Sequence, residues 1–380
     1  MNKKEIIILL AFVFVPFLFS QTKKEIKIKV ITTNLPANSS IYISGNIQQL
    51  GNWNVDIVKL NKKDKNTWEK SFYFNVGVIL QFKITRGSWA NERLDDDLKI
   101  PSNTRLKVKN DTTITYTVKK WSDQVERRIT AHGQITGKVE YIHGLKGDGI
   151  LPRDIIVWLP PGYEKNERER YPVLYMHDGQ NIIDPAKSSF GYDWQVDEAA
   201  DSLIKAGKIN KVIIVGIYCT ADRSLDYGGS KSNAYINFIV NKVKPMIDKK
   251  YKTKPDKKNT AIAGSSLGGI ISFMILWKYP DVFSKAACLS PAFHIGKYNW
   301  ISDVRNYKGK KNVKIYIDNG SLGLEEKLQP GVNEMLSLLE KKGYVRGKDL
   351  EYFKAANAEH NERAWAKRNW RWLEFLFGKK

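Results

Sequence analysis

The hydrophobic rhythm of the chain changes near residue 135. From Glu25 to about Lys120, apolar and polar residues alternate in short runs: "EIKIKVITT", "SIYISG", "WEKSFYF", "ILQFKITRG", "RLKVKN" and "TTITYTVKK". Alternation with period two puts one side of each strand into a core and the other into water. Asn, Gly and Asp punctuate the runs where turns are needed. The pattern predicts an all-β sandwich of about seven antiparallel strands over residues 22–120. A polar connector, "WSDQVERRITAHGQ", spans 121–134.

Beyond 135 the strands lose their alternation. "DIIVWLP", "PVLYMHDG", "KVIIVGIY", "TAIAGS", "AACLSP" and "VKIYIDNG" are continuous apolar runs, separated by helical-period segments such as "DWQVDEAADSLIKAG" and "VNEMLSLLEKKG". Strands buried on both faces suit a parallel sheet flanked by helices. Residues 135–380 are therefore expected to form an α/β domain. The first twenty residues combine Lys3 and Lys4 with an apolar run from Ile6 to Phe19 and end at Ser20. That run is too short for a membrane span and predicts a signal peptide over 1–20, with a secreted or periplasmic product.

Composition adds little to this picture except by exclusion. Hydrophobic residues make up 42% and charged residues 27% of the 380, which excludes a disordered chain. The two cysteines, Cys219 and Cys288, lie in apolar runs and are expected as free thiols. The net charge of +22 is spread over the chain, and no nucleic-acid recognition motif accompanies it, so a nucleic-acid partner is not expected. No metal-ligand spacing or dinucleotide fingerprint occurs, and no metal or cofactor is expected.

The chemistry centres on Gly264-Ser265-Ser266-Leu267-Gly268, a G-x-S-x-G frame between a strand and an apolar helix. Flanking glycines permit a sharp turn that lifts Ser266 above the sheet, with Ser265 as a spacer. The helix that follows turns its first amides toward negative charge developing on a substrate oxygen. A hydroxyl needs a base. Of the five histidines, His294 and His360 follow the serine, and His360 lies in the polar loop "NAEHNERAW" before the last helix. The acid should follow a late strand, which leaves Asp318, Glu325 and Glu326, with Glu325 favoured because its loop has reach. The oxyanion donors would be the amides of Leu267 and of Gly179 or Gln180 in "YMHDGQN", with His177 and Asp178 shaping that loop. Trp194, Arg223 and Tyr227, from "FGYDWQVD" and "DRSLDYGGS", are candidate pocket residues.

The segments "RYPVLYMHDGQNIID", "IAGSSLGGIISF", "CLSPAF" and "AEHNERAW" resemble the esterase branch of the α/β-hydrolases that includes esterase D, feruloyl esterases and enterochelin esterases. The resemblance implies a serine hydrolase with nucleophile Ser266, base His360 and an oxyanion loop at His177–Gln180. It departs at the acid. Relatives often carry Asp shortly after the strand-end glycine, whereas Gly320 is followed here by Ser321, Leu322 and Gly323, so that Glu325 is inferred as the substitute. The N-terminal runs "SIYISGNIQQLGNWN", "TWEKSFYF" and "LQFKITRGSW" resemble a starch-binding domain of the family-20 type, which implies sugar contacts at Trp53, Lys83 and Trp89. The expected protein is a serine esterase acting on acyl or aromatic esters of carbohydrates. A siderophore esterase is the alternative within catalysis, and a glycan-binding protein with an inactive hydrolase domain the alternative outside it.

Overall fold

A computed structural model describes residues 22–379 apart from 52–54, 89–90, 99, 102, 126–134, 190 and 296–297. The segment expected to be a signal peptide (residues 1–20), both candidate sugar-platform tryptophans (Trp53 and Trp89) and most of the connector thus lie outside the described residues. The chain divides near residue 126 into two compact units.

The first unit consists of strands β1 (Lys23–Thr32), β2 (Tyr42–Gly45), β3 (Val58–Lys59), β4 (Asn61–Lys62), β5 (Thr67–Asn75), β6 (Ile79–Thr85), β7 (Thr104–Lys107) and β8 (Thr112–Val118). They form two four-stranded sheets, in the orders β4-β5-β1-β8 and β3-β2-β6-β7. The alternation read from sequence is met residue by residue: Ile26, Ile28 and Val30 of β1 are fully buried, and Ile43, Phe82 and Ile84 of the other sheet join them in one core. Two departures stand out. The two-residue strands β3 and β4 are too short to give a periodic signal, which raises the strand number above seven. β1 also pairs in parallel with β8, from Ile26 opposite Thr112 to Thr32 opposite Val118, so the sandwich is not wholly antiparallel.

The second unit is built on strands β9 (Lys138–Gly147), β10 (Ile150–Leu159), β11 (Val173–His177), β12 (Ile213–Ile217), β13 (Thr260–Ser265), β14 (Lys285–Leu289), a small hairpin of β15 (His294–Ile295) and β16 (Tyr298–Asn299), β17 (Lys314–Asn319) and β18 (Leu350–Lys354). The main sheet has the order β18-β17-β14-β13-β11-β12-β10-β9 and is parallel from β12 to β18. β10 runs antiparallel to β12 and to β9. β9 had no expected counterpart; its strand is largely half-exposed at the sheet edge, so it carries no apolar run.

Between the strands lie helices α1 (Val196–Lys205), α2 (Arg223–Gly228), α3 (Ser232–Phe238), α4 (Lys244–Lys250), α5 (Leu267–Lys278), α6 (Ile301–Asn306), α7 (Leu324–Lys341), α8 (Glu362–Ala366) and α9 (Asn369–Phe377). Successive strand residues feed opposite layers. Ile155, Val157, Tyr175 and Ile262 pack with α3, α5 and α7 residues on one face, and Ile156, Trp158, Met176 and Ala263 with α1 and α9 residues on the other. Both faces are therefore covered, which explains why the strands read as continuous apolar runs. The architecture is the α/β-hydrolase sheet expected from sequence, with a β-sandwich ahead of it. Among the described residues no helix is long and apolar enough to cross a membrane.

Candidate active site

The central strand β13 is buried at all six positions and ends at Ser265. Ser266 follows with φ 57° and ψ −122°, a conformation that strains a residue bearing a Cβ, and α5 begins at Leu267. The amide of Ser266 donates to the Leu289 carbonyl at 2.9 Å, which ties the turn to the end of β14. Gly264 makes the turn possible. A Cβ there would lie 2.7 Å from the Gly268 carbonyl carbon and oxygen, so strand and helix backbones meet with no room for a side chain. Gly264→Ala is accordingly expected to destabilise the fold by about 1–3 kcal/mol, measurable as a lower urea midpoint with an unchanged m-value. As the first residue of α5, Leu267 has no intrahelical acceptor for its N–H, which projects from the helix start.

The loop after β11 abuts this turn: a Cβ at Gly268 would sit 3.4 Å from both Asp178 Oδ2 and His177 Cβ. Asp178 adopts a left-handed backbone, φ 56°, and Gly179–Asn181 form a single 3-10 turn. Gly179 presses on β12, where a Cβ would meet the Gly216 carbonyl carbon at 2.3 Å. The Gln180 side chain is held twice by Cys219, donating to its Sγ at 2.8 Å and accepting from its amide at 3.1 Å. Arg223 clamps Asp178 with Nε to Oδ1 and Nη2 to Oδ2, both 2.7 Å, and the Tyr227 hydroxyl accepts from the Asp178 amide at 3.1 Å. Burial pushes the Asp178 carboxyl up, and the Arg223 charge and hydrogen bonds outweigh it, holding the carboxyl below its ordinary value.

His177 beside it is fully buried, with Nδ1 paired to the Tyr235 hydroxyl at 2.9 Å. Burial, aided by the Arg223 and Arg153 charges and opposed by Asp178, drives its pKa down to about 3. The unfolded chain binds a proton at His177 below about pH 6.5 while the folded chain stays neutral to about 3. Stability is expected to fall as pH drops through that window. Urea titrations from pH 7 to 4 should show the loss, with a shallower slope in His177→Asn.

The acid and base come from the far side of β14. His360 lies between β18 and α8, its side chain 15% exposed, and its Nδ1 is 3.2 Å from Glu325 Oε1. Glu325 is fully buried in the first turn of α7. Its Oε1 also accepts from the Ser290 hydroxyl at 2.6 Å, and Oε2 accepts from the Gly320 amide at 3.0 Å. Burial raises the Glu325 pKa, but the hydrogen bond and charge of His360, with the donors Ser290 and Gly320, hold it below the ordinary glutamate value. Gly320 is required because a Cβ would fall 2.4 Å from the Ala358 carbonyl oxygen and 2.6 Å from Glu325 Cγ. The Trp365 ring meets the His360 ring edge-on at 5.0 Å.

The structure thereby separates the three candidate acids. Asp318 is buried in a two-bond ion pair with Arg368, at 2.8 and 3.0 Å, and Glu326 is exposed. The other candidate base, His294, is paired with Glu334 at 2.9 Å away from these groups. His360 and Glu325 are joined directly. His360 pairs with Glu325 and makes no hydrogen bond to the Ser266 hydroxyl in this structure, as is common before a substrate draws such a pair together.

Two of the candidate pocket residues require correction. Trp194 and Tyr227 are 1% and 0% exposed, so neither presents a surface to a ligand. Trp194 backs Trp365 at 5.1 Å between ring centres, and Tyr227 packs on His177 at 5.2 Å. Arg223 is partly exposed but spends its guanidinium on Asp178. Lys83, in the sandwich, is paired with Glu92 at 2.6 Å. Sequence reasoning missed Ser290, Trp365 and Arg368, although Ser290 stands at a strand end in "CLSPAF", Trp365 closes "AEHNERAW" and Arg368 follows it three residues on.

Residues 151–374 match the family model described as "Putative esterase". The chain belongs to this esterase family. Residues 23–116 match the model of a starch binding domain. The esterase is 29% identical over 194 residues to an endo-1,4-beta-xylanase/feruloyl esterase of Xylanibacter ruminicola, covering 50% of this chain and 25% of that protein. Among solved structures, a ferulic acid esterase aligns with TM-score 0.53 at 21% identity, over 63% of this chain and 98% of the other. The enterobactin esterase of Shigella flexneri aligns with TM-score 0.53 at 11% identity, over 89% and 87%. The protein is a carboxylic ester hydrolase.

Proposed function

We propose that the esterase cleaves its ester through a Ser266–His360–Glu325 triad and an acyl-enzyme. Ser266 Oγ attacks the ester carbonyl while His360 Nε2 takes its proton. The Glu325 carboxylate accepts from Nδ1–H and so keeps the lone pair of Nε2 facing the serine. The tetrahedral oxyanion is met by the Leu267 amide and by an amide of the Gly179–Gln180 turn. The alkoxide leaves with the proton from His360, and water then attacks the acyl-enzyme by the same route in reverse. The observation that carries this reading is the hydrogen bond from a half-buried histidine to a buried, ionised glutamate, both in segments that follow the C-terminal ends of parallel strands, as does the strained serine at a helix start.

The substrate is an acyl or aromatic ester attached to carbohydrate, released outside the cytoplasm by a protein carrying a signal peptide over residues 1–20. The starch-binding-type module and the similarity to a xylanase/feruloyl esterase support this class. In this reading the module holds glycan through Trp53, Trp89 and Lys83. A siderophore esterase is the second reading, favoured by the fold shared with an enterobactin esterase along 89% of the chain. A panel of methyl ferulate, feruloylated and acetylated oligosaccharides and a tri-catecholate lactone separates the two by kcat/KM. Feruloylated or acetylated saccharides are expected to lead; a lactone preference of tenfold or more overturns the carbohydrate assignment. Fluorophosphonate labelling at a residue other than Ser266, or none at all, overturns the triad.

A further inference from the structure

Behind the proposed acid lies a hydroxyl whose hydrogen-bond direction follows from counting. Ser290 is fully buried at the end of β14, in a left-handed backbone with φ 45°. Three groups surround its Oγ: Trp365 Nε1 at 3.0 Å, Arg368 Nη2 at 3.1 Å and Glu325 Oε1 at 2.6 Å. An indole N–H and a guanidinium N–H only donate. They occupy both lone pairs of the hydroxyl, and its single proton must point at Glu325. The backbone is pinned as firmly, since the Ser290 amide donates to the Asp318 carbonyl at 2.9 Å. Asp318 in turn holds the Arg368 guanidinium.

We propose that Ser290 is a positioning residue of the esterase: a one-way hydroxyl that carries the polarity of the buried Arg368–Asp318 pair to Glu325 and thereby fixes the ionisation and orientation of the His360–Glu325 couple. The inference rests on the triad reading given above. Glu325 Oε1 takes both the Ser290 proton and the His360 Nδ1–H, so the two donors fix the carboxylate in the plane the imidazole needs. The Trp365 indole that donates to Ser290 also meets the His360 ring edge-on at 5.0 Å, so one tryptophan touches both the hydroxyl and the base. The other charged or titratable groups packed around the couple are Asp318 on β17, Arg368 between α8 and α9, and Tyr352 on β18, and none of them bonds Glu325 directly.

Removing the hydroxyl deprives the carboxylate of a donor to its charged form, so the couple binds its proton more tightly. The acid limb of kcat/KM should move to higher pH. Ser290→Ala and Ser290→Gly test this, the glycine variant being suited to the positive φ. Each is assayed on p-nitrophenyl acetate after active-site titration with a fluorophosphonate. Both are expected to show kcat lower by about 10–100-fold with KM within about threefold, and an acid limb raised by about half a pH unit or more. Labelled, folded variants with wild-type kcat and an unmoved acid limb would reduce Ser290 to a packing residue and overturn the proposal. Wild-type protein that hydrolyses the ester without labelling at Ser266 would instead overturn the triad, which keeps the two failures distinct.

Discussion

Ser266→Ala is expected to lower kcat on small aryl esters by about 10⁴–10⁶-fold while the unfolding midpoint changes little. The serine supplies the nucleophile, and nothing else at the turn can replace its oxygen. Its Cβ is what strains the backbone at φ 57° and ψ −122°, and alanine keeps that Cβ, so fold and strain both persist. Ser266→Gly gives the complementary result. It abolishes turnover equally but releases the strain, and should raise the unfolding free energy by about 1 kcal/mol. Single-turnover kinetics and urea titration on the same preparations read the two effects independently. Activity retained in Ser266→Ala above about one percent would show that the hydrolysis proceeds elsewhere in the chain.

The serine was legible in sequence because its geometry is local. A glycine two residues before it and another two after, a buried strand and an apolar helix are all neighbours in the chain. The same holds for the layers of the α/β unit, where each strand declares its burial on both faces by losing alternation. Long-range relations were less legible. Glu325 could be favoured but not separated from Asp318, because the distinction depends on Arg368, fifty residues downstream, which claims Asp318. Trp194 and Tyr227 suggested a pocket because aromatic residues in Gly-rich loops serve ligands and packing alike. The fold buries both, and puts them behind Trp365 and His177. Ser290 carried no signal of its own: a serine before a proline at a strand end is ordinary until the three groups around its oxygen are known.

Glu325→Gln and Asp318→Asn should fail in opposite ways, and this pair of variants tests the assignment of the acid. Glu325 accepts on both oxygens, from Ser290 and His360 on one and from the Gly320 amide on the other. A glutamine must turn its NH₂ toward one side. Facing His360, it opposes the Nδ1–H donor and imposes the wrong tautomer; facing Gly320, it sets one N–H against another. Either outcome costs catalysis more than it costs stability, and kcat should fall by about 10³–10⁴-fold in a protein that remains folded. Asp318→Asn removes the negative partner of a buried guanidinium, which leaves an uncompensated charge and should cost about 3–5 kcal/mol of stability. The Asp318→Asn molecules that stay folded should keep kcat within about tenfold, since Glu325 and His360 retain their direct bond. Glu326→Gln, on the exposed side of the same helix turn, should match wild type within about twofold. Chemical unfolding beside initial rates distinguishes these patterns. A catalytic loss in Asp318→Asn larger than in Glu325→Gln, at equal folded fraction, would move the acid of the triad from α7 to the end of β17.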